Sequence, residues 1–122
     1  MKNLVTPADA DKFAVYVAKW QALLNLNDWR ITRRGSKASK DAMADIAISS
    51  ADKLAQWRIG KHFGAEIVDD YTLESTAVHE LLHVLLADFK EICTSKPSNE
   101  ILDGAEHRVI HTLERLLVKR IA

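Results

Sequence analysis

The stretch Thr76–Phe89, TAVHELLHVLLADF, constrains the fold more than any other. Leu81, Leu82, Leu85, Leu86 and Phe89 recur at helical spacing and mark a helix that lies inside the protein. Yet the same helix carries His79, Glu80 and His83. Burying three ionisable groups without partners is costly. The fold therefore has to supply partners, and a metal ion is one that satisfies two imidazoles at once. Residues four apart on a helix lie one turn apart on the same face, so His79 and His83 can converge on one point. Glu80 is rotated sideways, where it can serve as a general base toward water at the metal. That is the physical content of an H-E-x-x-H pattern, which points to catalytic Zn²⁺ with an open coordination position.

The rest of the chain offers a frame for such a helix. Thr6-Pro7-Ala8-Asp9 reads as a capped helix start. Phe13, Ala14, Val17, Trp20 and Leu24 then follow at helical spacing to about Leu24. Alternation in Trp29–Thr32 and Ala42–Ile48 predicts two strands, and Leu54–Ile59 predicts a third, closed by Gly60. Gly64–Val68 reads as a further strand or a loop. Thr72 opens the motif helix, which is expected to run to about Glu91 or Ile92. After the linker CTSKPSN, Ser98 or Asp103 caps a last helix. Helix, strands and then two helices in sequence order predict an α+β domain spanning residues 1–122: an N-terminal helix, a small three- to four-stranded sheet, the motif helix and a C-terminal helix.

Composition narrows the function classes. With 122 residues, 48% of them hydrophobic, the chain can build one core without disulfides. Lys+Arg and Asp+Glu balance at 17 each, which argues against general affinity for nucleic acid or an anionic membrane. Arg33, Arg34, Lys37 and Lys40 form a local basic stretch that reads as a solvated hairpin tip, with contact to nucleic acid as the alternative. Trp20, Trp29 and Trp57 read as core or cleft wall. The lone Cys93 and a start without an apolar signal segment lead to a cytoplasmic expectation. No apolar run is long enough to span a bilayer.

A catalytic zinc takes three protein ligands. Glu106, Asp88, His107 and His111 lie downstream of the motif, and His62 lies upstream. At about 100° per residue, Ile101, Leu102, Ala105, Val109, Leu113, Leu116 and Leu117 mark the apolar stripe of the last helix. Glu106 falls inside that stripe and is the acid expected to point toward the core, while His107 and His111 fall on the far side. The expected third ligand is Glu106.

STAVHELLHVLLADF followed by AEHRVIHTLERLL resembles the short HExxH proteins encoded by phages and prophages, which are similar to minimal gluzincin metallopeptidases. LNLNDWRI and ADIAIS upstream fit the same pattern. The resemblance implies a zincin-like fold, Zn²⁺ held by His79, His83 and Glu106, Glu80 as general base, and a peptide or protein substrate. It also implies a strand lining the cleft, for which Leu54–Ile59 is the candidate. The transition-state electrophile would come from Tyr71, His62, His107 or His111. Where the family often has an acidic pair, this chain has Ala105-Glu106-His107. The rival expectations are a catalytically silent metal- or peptide-binding module and a DNA-associated phage accessory protein.

Overall fold

The structure is a computed structural model that describes residues 2–39, 41–93 and 99–118. The side chains at 88, 92, 93, 99, 101, 105 and 116 fall outside that description, as do Lys40 and Ser98. The elements are α1 (Pro7–Leu23), β1 (Arg30–Arg33), β2 (Ala44–Ser49), β3 (Leu54–Ile59), α2 (Asp70–Leu85), α3 (Ala87–Cys93) and α4 (Asn99–Leu117). The chain is thus α+β, with a three-stranded sheet and the helices segregated around it. Residues 64–68 form a loop, not a strand. No described helix is long and apolar enough to cross a membrane.

The cap of α1 is the one expected from the sequence, and that of α2 is not. Thr6 accepts from the Asp9 amide at 3.1 Å while Asp9 Oδ2 accepts from the Thr6 amide at 2.9 Å, and Pro7 occupies the first turn. Before α2 the cap is Asp69, three residues earlier than Thr72. Asp69 Oδ1 accepts from the Thr72 amide at 2.8 Å, and Thr72 Oγ1 accepts from the Asp69 amide at 2.9 Å. Thr72 is therefore the third helical residue of a capping box.

The sheet order is β1-β3-β2, with β1 parallel and β2 antiparallel to β3. Register places Ile31 beside Ala55, Ile46 beside Trp57 and Ile48 beside Ala55, so one face of the sheet is apolar. Phe13 and Val17 of α1 and Leu73, Ala77, Leu81 and Val84 of α2 close over that face around Trp57 and Ile59. Trp29 and Trp57 are buried in this core, as expected of them. Trp20 Nε1 donates to Glu74 Oε2 at 2.8 Å, and Lys19 pairs with the same oxygen at 2.6 Å, tying α1 to α2.

A second cluster lies on the other flank of α2. There Val78 and Leu82 pack against Ile110 of α4 and Val118 just past its end. Being buried on two flanks explains why α2 is apolar nearly all round. A turn at Leu86 ends it earlier than periodicity suggests, and α3 resumes at Ala87. The Leu86 amide still bonds back to Leu82 at 3.0 Å, so the apolar pattern runs through an interruption it does not reveal.

Candidate metal centre

α2 carries His79, Glu80 and His83 into a cleft of about 570 Å³ between strand β2 and helix α4. Ala44, Ile46 and Ile48 line one wall, and Asp103, Glu106 and His107 line the other. A second cleft of about 490 Å³ continues past His79 and Glu80 toward Tyr71, His111, Glu114 and Arg115. The two share Ala44, His79 and Glu80, so the motif stands at the centre of a groove along β2. Because β3 is the middle strand, the groove is lined by edge strand β2 and not by Leu54–Ile59 as expected.

The imidazoles converge. The His79 and His83 ring centroids are 5.1 Å apart, and His107 lies 4.8 Å from His83 and 5.8 Å from His79. His79, His83 and His107 each offer a ligand atom within 4.8 Å of the others, as do His79, His111 and Glu114. Glu106 belongs to neither set, but it is at the site. Its side chain is only 7% exposed, and its Oε1 lies 3.3 Å from His83 Nδ1 and 3.6 Å from Lys90 Nζ. That oxygen makes no hydrogen bond of good geometry. A buried carboxylate oxygen in this state, beside several imidazoles, is a donor set that fits zinc.

The apolar stripe of α4 misjudged its rotation. Ile110 is fully buried, whereas Val109 is 47% exposed. The helix therefore presents Glu106, His107, Ile110 and Glu114 toward α2, and His107 is half-buried rather than on the far surface. His111 is exposed but its ring is 5.1 Å from that of His79. The i,i+4 spacing of His107 and His111, which repeats that of His79 and His83, was the available signal for a matching face. His62 lies elsewhere, bridging to Leu4 and accepting from the Gly64 amide at 3.1 Å, and lines neither cleft. Asp88 lies outside the described side chains.

Electrostatics divides the motif. Burial pushes the Glu80 carboxyl up to about 8, only partly offset by the charge of His79. Burial also lowers His83, holding it neutral with a lone pair available. Burial pulls the same way on His79, but the hydrogen bond to Glu114 and the charges of Glu80, Glu114 and Glu106 prevail, and its pKa is raised. His107 Nδ1 lies 2.8 Å from the Asp103 carbonyl, to which only an N–H can donate, leaving Nε2 as an acceptor. Lys90 and Asp103 pair at 2.7 Å at the rim.

Arg33, Arg34 and Lys37 line neither cleft. The Arg33 guanidinium lies 5.4 Å over Trp57 and caps the edge of the core. No known protein family matches the chain, and no curated protein or solved structure gives a significant match.

Proposed function

We propose that the protein is a zinc-dependent peptidase with His79, His83 and Glu106 as ligands and Glu80 as general base. The observation that carries this reading is the buried Glu106 side chain, whose Oε1 makes no hydrogen bond of good geometry and lies 3.3 Å from His83 Nδ1, in the cleft that also receives both motif histidines. Bound zinc would supply Lewis acidity, polarising a peptide carbonyl and making water a usable nucleophile near neutral pH.

The chain's own residues account for the rest. β2 pairs with β3 on one side, and its other edge can take an extended peptide as an added strand. Ile46 and Ile48 offer apolar contact in the groove. Glu80 accepts the proton released by water and delivers it to the leaving amine. Burial alone keeps Glu80 protonated at neutral pH, and a nearby divalent cation favours its carboxylate form. The base is thus available when the site is loaded.

The test is zinc content and peptide cleavage for wild type, Glu80→Gln, Glu106→Ala and His107→Ala. Glu80→Gln should lose about 10²–10⁴-fold in turnover and keep its zinc. Glu106→Ala should lose zinc affinity and His107→Ala should keep it. A wild type without zinc sinks the reading; loss of zinc only in His107→Ala moves the third ligand to His107. One observation favours a second reading. If His107 joins the other three ligands the coordination is closed, and closed sites are structural. Zinc lost in either variant, with no cleavage by wild type, would select it.

A further inference from the structure

Glu114 is assigned no role by the motif, yet its Oε1 lies 2.8 Å from His79 Nδ1. Both side chains are about four-fifths buried, with 23% and 19% exposure. Glu114 sits one turn after Ile110 of α4, and the amide of Val118, just past the helix end, bonds back to the Glu114 carbonyl at 3.1 Å; Ile110 and Val118 are both buried against Val78 and Leu82. The packing of α4 therefore holds the carboxylate in place, and α2 holds the imidazole. An ionised carboxylate only accepts, so the shared proton belongs to Nδ1 and the lone pair of neutral His79 belongs to Nε2.

We infer that Glu114 is a positioning residue: it fixes His79 as the Nδ1–H tautomer and so makes Nε2 the metal-binding atom. The inference rests on the reading of His79 as a ligand. An outer carboxylate of this kind orients the ring and raises the basicity of the nitrogen that binds the ion. The His79–Glu114 pair bridges α2 and α4, so it also sets the ring before any ion arrives.

The experiment combines nitrogen NMR of the histidine side chains in metal-free protein with zinc affinity by competition with a chelator. It uses wild type, Glu114→Ala and Glu114→Gln. At a pH above the His79 titration, followed in the same nitrogen spectra, His79 in wild type should be mainly the Nδ1–H tautomer. In Glu114→Ala that preference should collapse while His83 signals stay in place, and zinc affinity should fall about 10–100-fold. Glu114→Gln, whose amide oxygen still accepts, should retain the tautomer and most of the affinity. Unchanged His79 signals and affinity in Glu114→Ala would overturn the inference. So would two zinc equivalents in wild type falling to one in that variant, because Glu114 would then be a ligand together with His79 and His111. A wild type that binds no zinc but keeps the tautomer would instead reject the metal reading, and the positioning role with it.

Discussion

Glu80 is the residue at which local burial and chemistry conflict most. It is 7% exposed, and its carboxyl is raised from 4.5 to about 8 by burial. In unfolded chain it titrates near its ordinary value, so the folded protein binds the proton more tightly. Its contribution to stability is fully present below about pH 4.5 and is lost as pH rises toward about 8. In metal-free protein at pH 7 this is a burden of about 3 kcal/mol. Glu80→Gln removes the charge while keeping the shape. It should raise the urea midpoint of metal-free protein at neutral pH, with little gain at acid pH. Equal midpoints at neutral pH would show that Glu80 reaches water more freely than its burial indicates. His83 and His79 differ in the same sense as their partners. Burial lowers the pKa of His83, whereas the hydrogen bond from Nδ1 to Glu114 outweighs burial and raises that of His79.

Elements decide where those residues meet. β2 reaches the cleft because the 42–44 segment passes close under the end of β3. Gly60 makes that approach possible. Its amide donates to the Met43 carbonyl at 2.7 Å, and a Cβ there would stand 2.3 Å from the Ala42 carbonyl oxygen. Backbone would have to move. Gly60→Ala should therefore cost about 1–3 kcal/mol or more in chemical denaturation. It should also weaken peptide binding along β2 more than zinc binding at α2. A variant of wild-type stability would mean that this contact is loose. Asp45, on the same strand, has its carboxyl pKa lowered chiefly by Arg58, whose Nε and Nη2 donate to it at 2.8 and 2.6 Å. The pair links β2 to β3, and Asp45 also lines the cleft that holds His79, Glu80 and His83, where its charge helps to raise Glu80.

At the scale of the whole molecule, the site lies at the joint between two packing units. One is the core of α1, α2 and the sheet; the other is the smaller contact of α2 with α4 around Val78, Leu82, Ile110 and Val118. α4 leaves Val109 and Leu117 substantially exposed, at 47% and 40%, because its cleft-facing side is spent on Glu106, His107 and Glu114. A metal spanning both helices would add the linkage that apolar burial provides only sparsely. Zinc at about 100 times its Kd should stabilise the fold by about 2.7 kcal/mol. Its addition should slow amide exchange through residues 106–114 far more than in β3. Exchange slowed equally everywhere, or nowhere in α4, would contradict a site shared between the two helices.

The sequence by itself determined the α+β order, the Thr6 cap, the buried tryptophans and the common face of His79 and His83. All of these follow from local backbone geometry or from the need to bury apolar side chains, which a linear pattern records. It did not reveal the break at Leu86, because apolar spacing continues through the turn. It did not reveal that β2 lines the cleft, because strand order is set by long-range pairing. The rotation of α4 was misjudged for a related reason. A helix docked on one neighbour beside a polar cleft does not aim its apolar stripe at the core. Only tertiary structure could bring His107 to His83 and Glu114 to His79, because those contacts join helices about 30 residues apart in the chain and depend on how the helices cross.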